Sequence, residues 1–307
     1  MCIRDRVHPD DGGAASAQRA RAGDVLAQLG DPRFDPQRFY LPADEMLGFV
    51  RIAADPGFMI GTPRQDAARV SKIIGGKVDD DEINDALTPT PEFYIARYPV
   101  TVAQFRAFVE ATAFAMGDAV ALADSDSRPV RRVSWHDAQA WCDWLNETLA
   151  TSPACAGSPI ARLVRQHGWR VGLPNELEWE KAARGGLGGS FFPWPGDADA
   201  NRANYGDSQI RDTSVVGCFA ANGYGLFDMV GNVWEWTRSI RLPYPYDVTD
   251  PKREDLGAGD DVLRVVRGGS WSDRRDFARC AARGRYRPAF RNDDSGFRVV
   301  LRSSPVL

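Results

Sequence analysis

All nine tryptophans of the chain lie between Trp135 and Trp271, yet the helical signal stops at Gly185, inside that window. Backbone without regular secondary structure has to be held by burying large rigid side chains, and each indole also needs a partner for its N–H. The chain is therefore expected to be a set of long loops stapled by tryptophan onto a small framework. Part of that framework has clear punctuation. Thr101 with Gln104, Ser134 with Asp137 and Asn175 with Glu178 each read as a capping box at a helix start. Phe105, Phe108 and Val109 share one face after the first. Ala138, Trp141, Cys142, Leu145 and Leu149 follow the second at helical spacing, and Trp179, Ala182 and Ala183 follow the third, which ends at Gly185.

Alternation of apolar and polar residues predicts strands over 49–62 and 93–101, with shorter pieces at 262–271 and 296–301. The polar, acidic, proline-bearing stretch 63–91 reads as a loop. Strands, then helices, then a long irregular part, with no βαβ repetition and no internal repeat, imply the α+β class. Residues 16–33 suggest two or three helical turns ending at Gly30, whereas the opening MCIRDR fits no folding pattern. Residues 1–30 hold Arg and Asp throughout, without the apolar core of a secretory signal. At 43% hydrophobic residues a core is available. No apolar run approaches the roughly 18 residues that a membrane helix requires, so no membrane is expected.

Charge is unevenly distributed. The chain carries a net −4, but 264–302 holds eleven Arg, no Lys and four acids, a local +7 that leaves −11 on the rest. The five cysteines (Cys2, Cys142, Cys155, Cys218, Cys280) are odd in number, scattered and without a CxxC pair. That pattern disfavours a disulfide scaffold and a thiolate zinc site, and it implies a reducing, cytoplasmic location.

The blocks FYIARYPVTVAQFRAF, PVRRVSWHDAQAWCDWLN, RVGLPNELEWEKAARGG, FPWPGD, NGYGLFDMVGNVWEWT, VVRGGSW and SGFRVV occur in this order along the chain. In that order they resemble the formylglycine-generating-enzyme-like (sulfatase-modifying-factor) domain, over about residues 48–302. The resemblance implies the C-type-lectin fold: a small twisted mixed sheet, short helices and long structured loops. It divides the chain into a domain at 48–307 and a preceding segment, 1–47, expected to be the tail of a helical linker in a larger modular protein.

The family contains copper oxidases, non-haem iron enzymes and non-catalytic binding domains, so the fold leaves function open. Its copper oxidases hold the metal with two cysteines shortly after the GGS-aromatic block. Asp273 stands in the place of the first, Phe277 or Ala278 near the second, and Cys280 matches a non-ligand position that reads as a small buried hydrophobe. Iron would need a histidine cluster, and only His8, His136 and His167 exist. Neither copper nor iron is expected. For structural Ca²⁺, the resemblance implies Asn232, the Val233 carbonyl and Glu235, with a second site on Asn204, the Tyr205 carbonyl and Asp212 as a doubtful acid. The bland reading of Asn232 and Glu235 is that they hydrogen-bond the turn between strands.

Nucleic acid is not the expected partner, because acids interrupt the Arg run and Arg267, Arg279, Arg283 and Arg298 match positions where the family uses Arg to brace loops. A subset of the family consists of the variable proteins of diversity-generating retroelements, in which adenine-directed mutagenesis rewrites the stretch between GGSW and a near-terminal GFR. This chain has GFR at 296–298 and ends soon after, as those proteins do. Ser272, Asp273, Phe277, Gly284, Tyr286, Ala289, Phe290, Asn292, Asp293 and Asp294 are all residue types that such rewriting produces. The expectation is a binding domain for a protein or small-molecule ligand. Its contacts would be Trp271, Asp273, Phe277, Tyr286, Phe290, Asn292 and Asp293, with Arg274 and Arg287 adding charge-assisted bonds. Truncating Tyr286 and Phe290 together should then weaken capture and leave thermal stability nearly unchanged. The alternative is a metal-dependent oxidoreductase, copper or non-haem iron, with an unforeseen ligand set.

Overall fold

The computed structural model describes residues 16–303. The helices are α1 (Ser16–Gln28), α2 (Ala67–Ile74), α3 (Val102–Thr112), α4 (Trp135–Thr151), α5 (Pro159–His167) and α6 (Glu176–Ala183). One antiparallel sheet has the order β3 (Phe49–Ile52), β6 (Phe93–Ala96), β12 (Val300–Ser303), β7 (Trp169–Gly172). A second has the order β10 (Arg283–Tyr286), β9 (Arg264–Arg267), β8 (Trp234–Ile240), β11 (Ser295–Gly296), with β11 running parallel to β8. Two hairpins complete the set, β1 (Phe34–Asp35) with β2 (Leu41–Pro42), and β4 (Asp55–Met59) with β5 (Leu87–Thr90). The expected α+β class holds.

All three capping boxes form, with Thr101, Ser134 and Asn175 each accepting from the backbone N–H three residues on. They orient α3, α4 and α6 against the sheets. The largest apolar cluster joins Phe105 and Phe108 of α3, Trp141 and Leu145 of α4, Trp236 of β8 and Phe297. Tryptophan stapling is borne out by where the indoles donate. Trp135 reaches the Thr237 carbonyl at 3.0 Å, Trp236 that of Val133 at 2.9 Å, Trp194 that of Asp197 at 2.9 Å, and Trp179 the Glu235 carboxylate at 2.7 Å.

Five of the eleven arginines near the C-terminus, Arg264, Arg267, Arg279, Arg283 and Arg298, are buried. Glu176, at the start of α6, holds Arg283 through two bonds of 2.9 Å, Glu178 holds Arg302 at 2.9 and 2.8 Å, and Glu180 pairs with both Arg184 and Arg267. Arg279 makes a forked pair with Glu82 at 2.6 and 2.9 Å. Arg267, Arg279, Arg283 and Arg298 therefore brace loops, as their family positions imply. Paired, multiply bonded ions of this kind are costly to interrupt because each leaves a buried charge behind.

Three segments differ from expectation. The strand expected over 49–62 is two strands in different sheets, interrupted at 53–54 before Pro56 and Gly57. The stretch 63–91 is not a plain loop: within it AARVSKII forms α2, capped by Gly75 at φ 69° with Val70 buried, and 87–90 is β5. The third concerns residues 16–47, expected as a linker apart from the domain. The helix is there, but it packs on the body. Ser16 Oγ donates to Ala200 O at 2.6 Å, and a Cβ on Gly23 would stand 2.6 Å from Cys218 Sγ. Leu41 and Leu47 sit in the main core, so the packing has no boundary at 47/48. His8 and Cys2 lie outside the described residues.

Candidate binding face

The loops on either side of β10 are fixed by backbone bonds at both ends. Trp271 N donates to Asn232 O at 3.1 Å, Gly206 N to Asp273 O at 2.7 Å, Trp135 N to Pro288 O at 3.0 Å and Arg132 N to Asn292 O at 3.0 Å. Asp273 turns its carboxylate inward, where Oδ2 accepts from Ser270 N at 2.9 Å and Ser270 Oγ at 2.6 Å. Arg291 clamps Asp137 of α4 with two bonds of 3.0 Å. Such loops present side chains from an ordered backbone, which lowers the entropy lost on binding.

On this base sit Phe277 and Phe290, 40% and 41% exposed, the only aromatics among the exposed large hydrophobics of the described residues. Both are held by ring contacts. Phe277 stands edge-on to Trp234 at 6.0 Å between centroids. Phe290 stacks on Tyr286 at 4.5 Å, and Tyr286 in turn meets Trp236 edge-on at 6.0 Å. Trp271 is half-buried, with its indole directed at Asp293 O at 3.4 Å.

The polar contacts expected for this face lie around these rings. Arg274 is exposed and pairs with Asp276 at 2.8 Å, while Arg287 reaches Asp261 at 3.7 Å. Asp293 lies 3.8 Å from Arg132, and Asn292 Oδ1 accepts from Asp293 N at 3.0 Å. Burial raises the pKa of the carboxyls of Asp273 and Asp294, helped by Asp276 at the first and by Asp273 and Asp293 at the second. Burial also pushes the Tyr286 phenol up to about 12, helped by the carboxylates of Asp294 and Asp273.

Three positions need correction. Tyr286 packs against the main core as well as carrying Phe290, so its truncation removes buried contact and cannot leave stability untouched. A Cβ on Gly284 would lie 2.6 Å from Val266 Cγ2 and 3.1 Å from the Trp234 ring, which bars free variation there. Asp294 is buried, with its carbonyl bonded by Trp234 N and its carboxylate by Ser295 Oγ. Trp234, which supports Phe277, has no distinguishing sequence signal, because every tryptophan reads alike as a staple. The Arg275–Asp207 pair at 2.8 Å, joining two distant segments, has no sequence signal at all.

The residues expected around calcium do not fit that ion. Both oxygens of Glu235 accept from Arg298, at 2.7 Å each, and Oε2 also accepts from Trp179. Asn232, at φ 66°, exchanges side-chain bonds with the Ser214 backbone at 2.9 and 3.1 Å. Asn204 Nδ2 donates to Asp212 O at 2.9 Å and its Oδ1 accepts from Ser208 Oγ at 3.0 Å. Val233 is buried, and the Asp212 carboxylate is taken by Arg128 and Arg131 at 2.7 and 2.9 Å. The turn-bracing reading accounts for these groups.

A copper dithiolate does not fit either. Asp273 is bonded inward to Ser270, and Cys280 lies in an apolar cluster with its thiol pushed up to about 12 by burial, which disfavours the thiolate. His136 sits on the surface beside Asp260 at 2.7 Å, and His167 ends α5 in the open. Among the described residues no three His, Cys, Asp or Glu side chains converge as a metal site.

Asp228, next to this block, gives a pH-dependent prediction. Burial pushes its carboxyl up to about 6, against the lowering effect of the Gly217 N–H (2.7 Å), Arg298 and Arg33. The folded protein therefore binds an extra proton between about pH 4 and 6. Its favourable contribution is full below pH 4 and is lost as pH rises through 6, a change of up to about 3 kcal/mol. Asp228→Asn can still accept from Gly217 and tolerates the φ of 53° at this position. Urea unfolding from pH 5 to 8 should show the variant gaining on the parent as pH rises. A pH-independent difference would mean that Asp228 titrates normally.

A family model described as the sulfatase-modifying factor enzyme 1-like domain matches residues 59–303. Among curated proteins, the chain is 35% identical over 188 residues to the inactive C-alpha-formylglycine-generating enzyme 2 of Bos taurus, covering 56% of this chain and 50% of that one. The matches to the curated relatives span from about a quarter to 59% of those proteins' lengths. Among solved structures, PvdO from Pseudomonas aeruginosa superposes with a TM-score of 0.60 at 25% identity, covering 82% of this chain and 93% of that one. Treponema denticola variable protein 1 gives 0.58 at 25%, with 83% and 94% covered. No described helix is long and apolar enough to cross a membrane.

Proposed function

Because this chain belongs to the sulfatase-modifying factor enzyme 1-like domain family, we propose that it uses that family's scaffold as a non-catalytic binding domain whose C-terminal loops capture a protein or small-molecule ligand. One observation carries the reading. The only exposed aromatics among the exposed large hydrophobics of the described residues, Phe277 and Phe290, both stand on these loops, braced by Trp234 and Tyr286. Rigid aromatic side chains at the centre of a polar rim are the usual anchors of an interface. Around them Trp271, Asn292 and Asp293 offer hydrogen bonds and Arg274 and Arg287 offer charge, while Asp273, expected among the contacts, turns inward to Ser270 and braces the loop instead. The similarity to a protein named inactive and to one named variable supports this reading.

The competing function is a metal-dependent oxidation of thiols. It would need two convergent sulfurs or a histidine cluster, against which stand the inward Asp273 and the buried Cys280. Metal analysis of the purified protein, with an oxygen-uptake assay on a cysteine-containing peptide, separates the two. The expected result is substoichiometric copper and iron and no thiol-dependent uptake after copper loading. Stoichiometric metal with turnover would replace this proposal by the oxidase. The retroelement form of the reading has its own test in the flanking DNA. It requires a reverse transcriptase gene and an adenine-rich near-copy of codons 271–295.

A further inference from the structure

A cavity of about 670 Å³ opens between α1, the segment 32–44 and the loop 215–221, and none of its lining residues belongs to the C-terminal loops. Its volume lies within the range of small-molecule pockets. One side of its wall (Gly23, Leu26, Pro32, Arg33 and 42–44) comes before residue 59, where the family match begins, and the rest from the matched domain, so the N-terminal segment completes the cavity against that domain. The interior is largely apolar. Tyr98 and Phe227 stack at 5.1 Å between centroids, facing Leu26, Pro42 and Val215.

Three charged side chains reach this cavity, and their hydrogen bonding differs. Arg33 is saturated: Nε and Nη2 bond Asp31, Nη1 donates to Val216 O at 2.7 Å, and its plane lies over Tyr98. Asp44 is engaged at both oxygens, by Gly48 N at 2.9 Å and by Arg97 Nη1 at 2.8 Å. Arg97 uses Nη1 alone among the described residues, which leaves the Nε–Nη2 edge of its guanidinium open. That edge is the one a carboxylate grips with two parallel bonds.

We propose that this cavity is a second ligand site, for a small amphipathic acid whose apolar body lies against Tyr98 and Phe227 and whose carboxylate is held by the open edge of Arg97. The site is independent of the C-terminal face. It is tested on the full chain with the fluorescent probe 8-anilinonaphthalene-1-sulfonate, displaced by decanoate or by decan-1-ol. One saturable probe site per chain is expected. Decanoate should compete about tenfold or more better than the alcohol, the scale of a hydrogen bond to a charged group. Arg97→Met should bring that preference below about threefold, and Ala221→Trp, which fills the cavity, should abolish displaceable binding; both should melt as the parent does. Arg97→Lys, which keeps the charge without the paired donors, covers the case in which Arg97→Met fails to fold, and should show an intermediate preference. Phe277→Ala with Phe290→Ala should leave all these values unchanged. The proposal is overturned by the lack of a saturable site, by binding that survives Ala221→Trp, or by a decanoate preference retained in the Arg97→Met protein.

Discussion

Glu235→Gln is expected to cost about 3–5 kcal/mol, a large share of a domain's total stability. Glu235 is buried with Arg298, whose guanidinium spans both its oxygens, and with the indole of Trp179. Arg298 also donates to the carbonyls of Ala96, Phe227 and Asp228, so it ties β6 and the 227–228 turn to β8. The neutral amide introduced by the substitution would leave the arginine charged without its counter-ion. The cost is that of the orphaned charge rather than the value of the pair, so the double variant Glu235→Leu with Arg298→Met should be more stable than Glu235→Gln alone. Urea unfolding measures all three. The same carboxylate decides the calcium reading: dialysis against EDTA should leave the parent's Tm unchanged. A fall of several degrees on chelation, with little loss in Glu235→Gln, would return Glu235 to a metal.

The three capping boxes and the tryptophan staples are legible in the sequence because each is a local rule. Thr101, Ser134 and Asn175 bond residues three positions away, and an indole such as that of Trp236 will seek a carbonyl wherever it is buried. Helices α2 and α5 escape a sequence reading because their signals are short. AARVSKII is averaged into a polar stretch, and the Ser158–Pro159 start of α5 lacks a capping-box partner. Residues 16–47 read as a linker because what fixes them lies about 180 residues away, as in the bond from Arg33 to the Val216 carbonyl. The proposed binding face is visible as a stretch of sequence, but its division into anchor and support is not. Residue type alone cannot tell that Tyr286 leans on Trp236 while Phe290 leans on Tyr286. Nor can it show that Gly284 is small because Val266 and Trp234 fill its space.

That division sets the second large effect, and it places the test on Phe277 and Phe290 rather than on Tyr286. Peptides selected from a random phage-displayed library on the immobilised protein should bind the Phe277→Ala/Phe290→Ala variant at least about 30-fold more weakly, since anchors of this type carry about 2 kcal/mol or more. Stability should change by less than about 1 kcal/mol, because both rings are 40% or more exposed. Tyr286→Ala supplies the contrast. It should lose binding through Phe290, which it stacks, and also lower Tm, because it contacts Trp236, which is fully buried in the core. If peptides bind the double variant as they bind the parent, the face is a passive surface. If the double variant melts several degrees lower, the two rings belong to the core. Only weakened capture by an equally stable protein fits loops that hold aromatic side chains out to solvent on a buried support.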